Sequence, residues 1–168
     1  IRSMRAAEIT NAIETVKLDA SLHSRNLSAQ TMSATMNAAV DEIRFAKENG
    51  AVGVFFRGIE GEYTLDSLYL FPVYAEAQKL NLSICVHTGC GVKQVLEMFD
   101  LARNHTFGHT RVMPLLAFRD LVANRIPEQF PSLRFGFIEA AAGWAPFLIH
   151  IIRRLLKERF KYASSAEM

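Results

Sequence analysis

Three short apolar segments recur along the chain, and stretches with helical spacing separate them. The segments are Val52–Phe56, Leu82–His87 and Leu133–Ile138. Short runs that are almost wholly apolar and rich in β-branched and aromatic residues are typical of strands buried on both faces. The pattern therefore predicts three buried strands.

The intervening stretches predict helices. Ala38–Glu48 ends at Asn49-Gly50, a common C-terminal signal, and Pro72 stands in the first turn of the next helix. A third helix is predicted from Val112 to about Ile126, ahead of the last strand. Because strands and helices alternate, we expect an α/β fold with parallel strands joined by right-handed crossovers.

A fourth helix is predicted over Trp144–Arg159, with its apolar residues on one face. That face comprises Trp144, Phe147, Leu148, Ile151, Ile152, Leu155 and Leu156. Spacings of three and four residues are typical of a helix that packs on a core, so we expect this face to be buried.

Composition narrows the class of protein. The chain has 168 residues, half of them hydrophobic, which suits a single domain over residues 1–168. Its net charge of +2 is too small for a nucleic-acid-binding surface, and the apolar stretch "WAPFLIHII" is too short to span a membrane. Cys85 and Cys90 form no disulfide framework, so we expect a reducing, cytoplasmic location. Because the chain starts without a methionine, we expect a piece of a longer protein.

Polar side chains stand where each predicted strand ends. Arg57 follows the first strand, His87 ends the second, and Glu139 follows the third, with Trp144 just beyond. Because the carboxyl ends of parallel strands lie at one edge of a sheet, we expect Arg57, His87 and Glu139 to share a rim. Histidine and glutamate on neighbouring strands can ligate one metal, or act as ligand and general base.

Structural roles remain open for these residues. His87 is also compatible with a core histidine that hydrogen-bonds to backbone. A carboxylate at the end of an apolar strand is costly to bury unless it is paired or bound, which favours a functional role for Glu139. Its structural alternative is to pair with Arg57 or to cap the following helix. His105 and His109, in "HTFGH", are weaker metal candidates because Gly108 and the loop context disfavour a helical pair.

Three segments, "AVDEIRFAKENGAVGVFF", "FPVYAEAQKLNLSICVHTG" and "FPSLRFGFIEAAAGWAPFLIHIIRRL", follow one another along the chain. In this order they resemble the amidohydrolase-related family of metal-dependent TIM-barrel enzymes. The resemblance covers about residues 38–156. It points to the branch that includes aminocarboxymuconate semialdehyde decarboxylase and the aromatic-acid decarboxylases.

The resemblance implies a (β/α)8 TIM barrel, of which these residues would form strands four to six. It also implies that His87 is the metal-binding histidine of the fifth strand. Glu139 falls on the sixth strand, where the decarboxylases place a catalytic histidine, so its role stays open between ligand, base and structural acid. The family's first-strand HxH pair and last-strand aspartate do not appear here, which implies a partial barrel.

The resemblance further implies a divalent metal, zinc above all, and hydrolysis or non-oxidative decarboxylation of a small carboxylated or cyclic substrate. Arg57 would bind a substrate carboxylate in bidentate fashion, and Trp144 would also contact the substrate. The alternative is a catalytically inactive truncated barrel that serves as an interaction or structural module. We expect a small-molecule substrate, no nucleic-acid partner and no membrane partner. A homo-oligomer stays open, and the isolated fragment is expected to be inactive.

Overall fold

The computed structural model describes residues 29–61, 63–87, 97 and 111–166, and within these ranges it describes side chains from Ala34 to Lys157. The elements in chain order are helix α1 (Ala29–Glu48), strands β1 (Gly53–Phe56), β2 (Ile59–Glu60) and β3 (Tyr63–Thr64), a 3-10 turn (Leu68–Leu70), helix α2 (Phe71–Lys79), strand β4 (Ser83–Val86), helices α3 (Met113–Ala123) and α4 (Ile126–Gln129), strand β5 (Arg134–Phe137) and helix α5 (Trp144–Ala166). Among the described residues, no helix combines the length and the apolar character needed to cross a bilayer.

Strands β1, β4 and β5 form one parallel sheet in that order. The prediction of three adjacent parallel strands in an α/β fold is therefore confirmed, with each strand end within one residue of its predicted position. The strands are in register, so that Phe56, Val86 and Phe137 lie side by side at the carboxyl edge. Strands β2 and β3 pair separately in an antiparallel hairpin, and the five described strands do not close a barrel.

The helices cover one face of this sheet. Val54, Phe56, Ile84 and Val86 point to that face and are buried. Tyr74 of α2 is fully buried against them, with its ring 5.9 Å from that of Phe56. Its hydroxyl donates a hydrogen bond of 2.6 Å to a backbone carbonyl, and burial raises the pKa of Tyr74 above its usual range. The phenol is thus a neutral core group.

The opposite face of the sheet is only half buried. It carries small side chains, at Gly53, Ser83, Cys85 and Gly136, together with Phe55. A Cβ at Gly53 would come within 2.9 Å of Cys85 Sγ and of the Ser83 carbonyl oxygen. The apolar runs predicted that both faces of the sheet are buried, but only the face covered by the helices is fully buried.

The helix predicted from Val112 to about Ile126 is present as α3 but ends three residues earlier than predicted. Helix α3 ends at Ala123, Arg125 takes a left-handed backbone conformation with φ of 58°, and Pro127 stands in the first turn of α4. Proline has no N–H to donate, so Pro127 would leave a gap in the hydrogen bonds of one continuous helix, whereas it is tolerated in the first turn of a new one.

The apolar face predicted for α5 is only partly buried. Ile152 is buried, whereas Phe147 and Leu155 are exposed to 64% and 53%. The side of α5 that contacts α3 carries Ile149, Ile152 and Leu156 and is displaced around the helix from the centre of the predicted face. Periodicity finds an apolar face but does not decide which part of it a neighbouring helix covers.

We expect Gly58→Ala to lower the free energy of unfolding by about 2 kcal/mol or more. Gly58 lies in the loop after β1, and a Cβ there would overlap the backbone carbonyl group of Met113 at the start of α3. The matched control is Gly143→Ala, where the added Cβ meets nothing within 4 Å. Urea denaturation checks both variants, and equal effects would contradict the close approach of loop and helix.

We expect Asp120→Asn to flatten the pH dependence of stability above about pH 4. Burial raises the pKa of Asp120, Arg119 opposes the change, and the charge of Asp66 adds to it. Oδ1 of Asp66 and Oδ2 of Asp120 are buried and have no hydrogen-bond partner among the described residues. Because the folded state holds the Asp120 proton more tightly than the unfolded chain, stability falls as pH rises through the folded pKa.

Urea denaturation at pH 4 and at pH 7 measures this slope. The control is Asp41→Asn, at an exposed carboxylate paired with Arg44, which leaves the Asp120 contribution in place. A wild-type slope retained in Asp120→Asn would show that this carboxyl does not titrate with folding.

Candidate functional site

Two side chains meet at the carboxyl edge of the sheet. His87 directly follows β4, and Glu139 lies two residues after β5. The His87 N–H donates to the Phe56 carbonyl at 2.8 Å, and the Ile138 N–H donates to the Val86 carbonyl at 2.8 Å. These bonds extend the parallel ladder past the strand ends. His87 Nε2 and Glu139 Oε2 consequently lie 3.1 Å apart.

The turn after β5 directs the glutamate toward the histidine. Glu139 has φ of 53° and Ala141 has φ of 55°, both in the left-handed region that side chains disfavour. Ala140 between them is buried, with 1% of its surface exposed. A non-glycine residue in this conformation costs on the order of 1 kcal/mol, and such residues persist where the surrounding structure holds them.

The environment of the pair is asymmetric. The His87 side chain is 26% exposed, and its ring lies 5.2 Å from the ring of Phe55 on the neighbouring strand. The Glu139 side chain is 76% exposed. The imidazole is therefore held against the sheet, whereas the carboxylate is open to solvent and to any ligand that reaches this edge.

The geometry permits two arrangements with a metal. Two donors that each lie about 2.1 Å from a zinc ion at tetrahedral angles are roughly 3.4 Å apart, close to the observed separation of the His87 and Glu139 donor atoms. Alternatively, His87 Nε2–H donates to Glu139, and Nδ1 is left as the metal donor in a carboxylate–histidine–metal arrangement. Either arrangement fits the chemistry of an imidazole and a carboxylate.

Arg57 lies directly after β1, next to the strand that carries His87. Its backbone N–H donates to Glu60 Oε1. Within the described part of the chain, the Arg57 guanidinium forms no ion pair with Glu139, whose partner is His87. Its expected contact with a substrate carboxylate stays a prediction.

Trp144 begins α5 and closes the turn after β5. Its indole N–H donates to the Ala140 carbonyl at 2.6 Å. The ring packs edge-on against Phe118 and Phe137, with centroids 5.3 Å and 5.8 Å away. The expected contact of Trp144 with substrate also stays a prediction.

Glu60 is a residue of this edge that sequence reasoning missed. Its surface is only 9% exposed, and its carboxylate accepts the hydrogen bond from the Arg57 N–H. The signal in the sequence is weak, because an acidic residue between Ile59 and Gly61 reads as part of an exposed loop. Only the β2–β3 hairpin turns this carboxylate back toward the exit of β1.

The remaining candidates do not extend the site. His105 and His109 lie outside the described residues, as does Cys90. His150 is exposed on α5. The described residues contain no group of three or more histidine, cysteine, aspartate or glutamate side chains placed to hold a metal. The described part of the chain therefore brings two donors together, His87 and Glu139.

A family model described as amidohydrolase matches residues 6–164. A search of curated proteins found no match. The family match covers nearly the whole chain and includes all three strands of the sheet.

We expect Glu139→Gly to be more stable than Glu139→Ala by about 1 kcal/mol. Both substitutions remove the carboxylate, but only glycine adopts φ of 53° without strain. Both variants lose the contact with His87, so the difference between them measures the free-energy cost of the left-handed backbone at position 139. Thermal or urea denaturation measures the difference, and equal stability would show that the turn relaxes without cost.

Proposed function

The chain belongs to the amidohydrolase family, and on that premise we propose that it acts in a metal-dependent hydrolase or non-oxidative decarboxylase. Members of this family are mostly enzymes, and they commonly bind divalent metals. The observation that carries the proposal is the contact between His87 and Glu139 at the exits of two neighbouring parallel strands. Strand exits of this kind are where barrel enzymes place their chemistry.

His87 would hold the metal, which we propose to be zinc. A divalent metal supplies an activated water for hydrolysis or a positive charge that binds a substrate carboxylate. The parallel ladder fixes the backbone of His87, and Phe55 shields one side of its ring. This support orients the imidazole before any ligand arrives, so little ordering is left for binding.

Glu139 would act either as a second ligand or as the group that accepts a proton at its exposed carboxylate. Its openness to solvent favours contact with a substrate or with water over a purely structural role. In the related decarboxylases a catalytic histidine would stand here, so the glutamate marks a departure from that branch. We propose two reaction types: decarboxylation, as in the branch that includes aminocarboxymuconate semialdehyde decarboxylase, or hydrolysis.

The substrate is proposed to be small and to carry a carboxylate or a cyclic group. Arg57 follows the strand next to His87, and its guanidinium offers a planar pair of donors that matches a carboxylate. Trp144 follows Glu139 by five residues in the chain, and its aromatic ring is proposed to contact the substrate. The alternative of an inactive interaction module is not favoured, because the family consists mostly of enzymes.

We expect His87→Ala, made in the full-length protein, to abolish metal-dependent turnover and to weaken zinc binding by more than about 100-fold. The loss of zinc affinity should be larger when a direct ligand is removed than when an outer hydrogen-bond partner of a ligand is removed. The matched control is His150→Ala, at an exposed histidine on α5. Metal content by mass spectrometry and turnover of a panel of carboxylated substrates provide the measurements.

Unchanged metal content and activity in His87→Ala would show that the histidine is structural and would end the proposal. Circular dichroism of both histidine variants confirms that any loss does not come from unfolding. Loss of metal in His150→Ala as well would show that the assay reports general damage rather than a site.

A further inference from the structure

The turn that carries Glu139 needs support from outside itself. Two residues of this turn, Glu139 and Ala141, hold left-handed conformations without being glycine. The buried residue between them, Ala140, presents a carbonyl that would be costly to leave without a hydrogen bond. The sequence of the turn alone therefore does not favour the conformation that brings the carboxylate to His87.

The side chain of Trp144 supplies such support. The indole N–H of Trp144 donates to the Ala140 carbonyl at 2.6 Å, which satisfies the buried acceptor. The indole cannot easily move away, because Phe118 and Phe137 pack edge-on against it at 75° and 73°. Phe137 is the last residue of β5, so the ring is anchored to the same strand that leads into the turn.

We propose that Trp144 is a positioning residue, whose indole N–H holds the strained turn so that the Glu139 carboxylate lies against His87. This inference rests on the proposed function, because Trp144 affects metal binding only if His87 and Glu139 belong to the metal site. Trp144 acts through Glu139 in this role, and the role requires its N–H rather than its ring. A purely structural tryptophan would require only the ring.

The test separates the N–H from the ring. Trp144→Phe keeps an aromatic ring in the same packing and removes the donor. The first readout is the side-chain 15N spectrum of His87 at fixed pH in the metal-free protein, which reports the hydrogen bond to Glu139. We expect Trp144→Phe to shift this signal toward the position found for Glu139→Gln, and we expect zinc affinity to fall 10- to 100-fold.

A rescue variant sharpens the result. Glycine adopts φ of 55° freely, so Ala141→Gly added to Trp144→Phe should recover part of both the His87 signal and the zinc affinity. The control for general loss of stability is Phe130→Leu, at a buried aromatic that packs on Tyr74. It should lower the melting temperature and leave both readouts as in the wild type.

Trp144 is the one tryptophan of these 168 residues, so in this chain expressed by itself benzothienylalanine in place of tryptophan removes only this N–H and keeps the ring shape, with the His87 signal as the readout. This protein serves as the second variant in case Trp144→Phe fails to fold. The inference is overturned if the His87 signal keeps its wild-type position and the zinc affinity stays within twofold of the wild type. It is also overturned if Phe130→Leu changes both readouts as much as Trp144→Phe does. Should the wild type bind no zinc, the proposed function fails, while the His87 signal still decides the role of Trp144.

Discussion

The parallel register of β1, β4 and β5 is the constraint on which the candidate site depends. Two backbone hydrogen bonds past the strand ends, from His87 to Phe56 and from Ile138 to Val86, hold neighbouring exits at one level. Side chains alternate between the faces of a strand, so a slip of one residue would turn His87 toward the helices. In the observed register it lies beside Phe55, on the half-exposed face.

The site combines this regular support with a locally unfavourable turn. The backbone hydrogen bonds after the strand ends fix the position of the backbone that leads into Glu139. The left-handed conformations of Glu139 and Ala141 then set the direction of the carboxylate. The edge-on ring contacts among Phe118, Phe137 and Trp144 stabilise that turn. Local rules are often broken at functional sites, where the surrounding structure compensates.

The two faces of the sheet have different characters. Large side chains fill the helix face, where Tyr74 contacts Phe56 and Phe135. Small residues such as Gly53 and Cys85 occupy the other face, which is half buried. Parallel sheets are normally covered on both sides, and the amidohydrolase family is typically a TIM barrel, in which one face of the sheet lines the interior.

The order of apolar and polar residues was enough to predict the three strands, their parallel arrangement and the presence of His87 and Glu139 at their exits. These features follow from local apolar runs and from the rule that parallel strands end at one edge. Apolar periodicity encodes neither the early end of the third helix before Arg125, nor the buried position of Glu60, nor the half-exposed face of α5. The first follows from the left-handed turn ahead of Pro127, the second from the β2–β3 hairpin, and the third from the packing of α5 on α3. The 3.1 Å approach of Glu139 to His87 belongs to the same class, because a strained turn held by Trp144 brings the two side chains together.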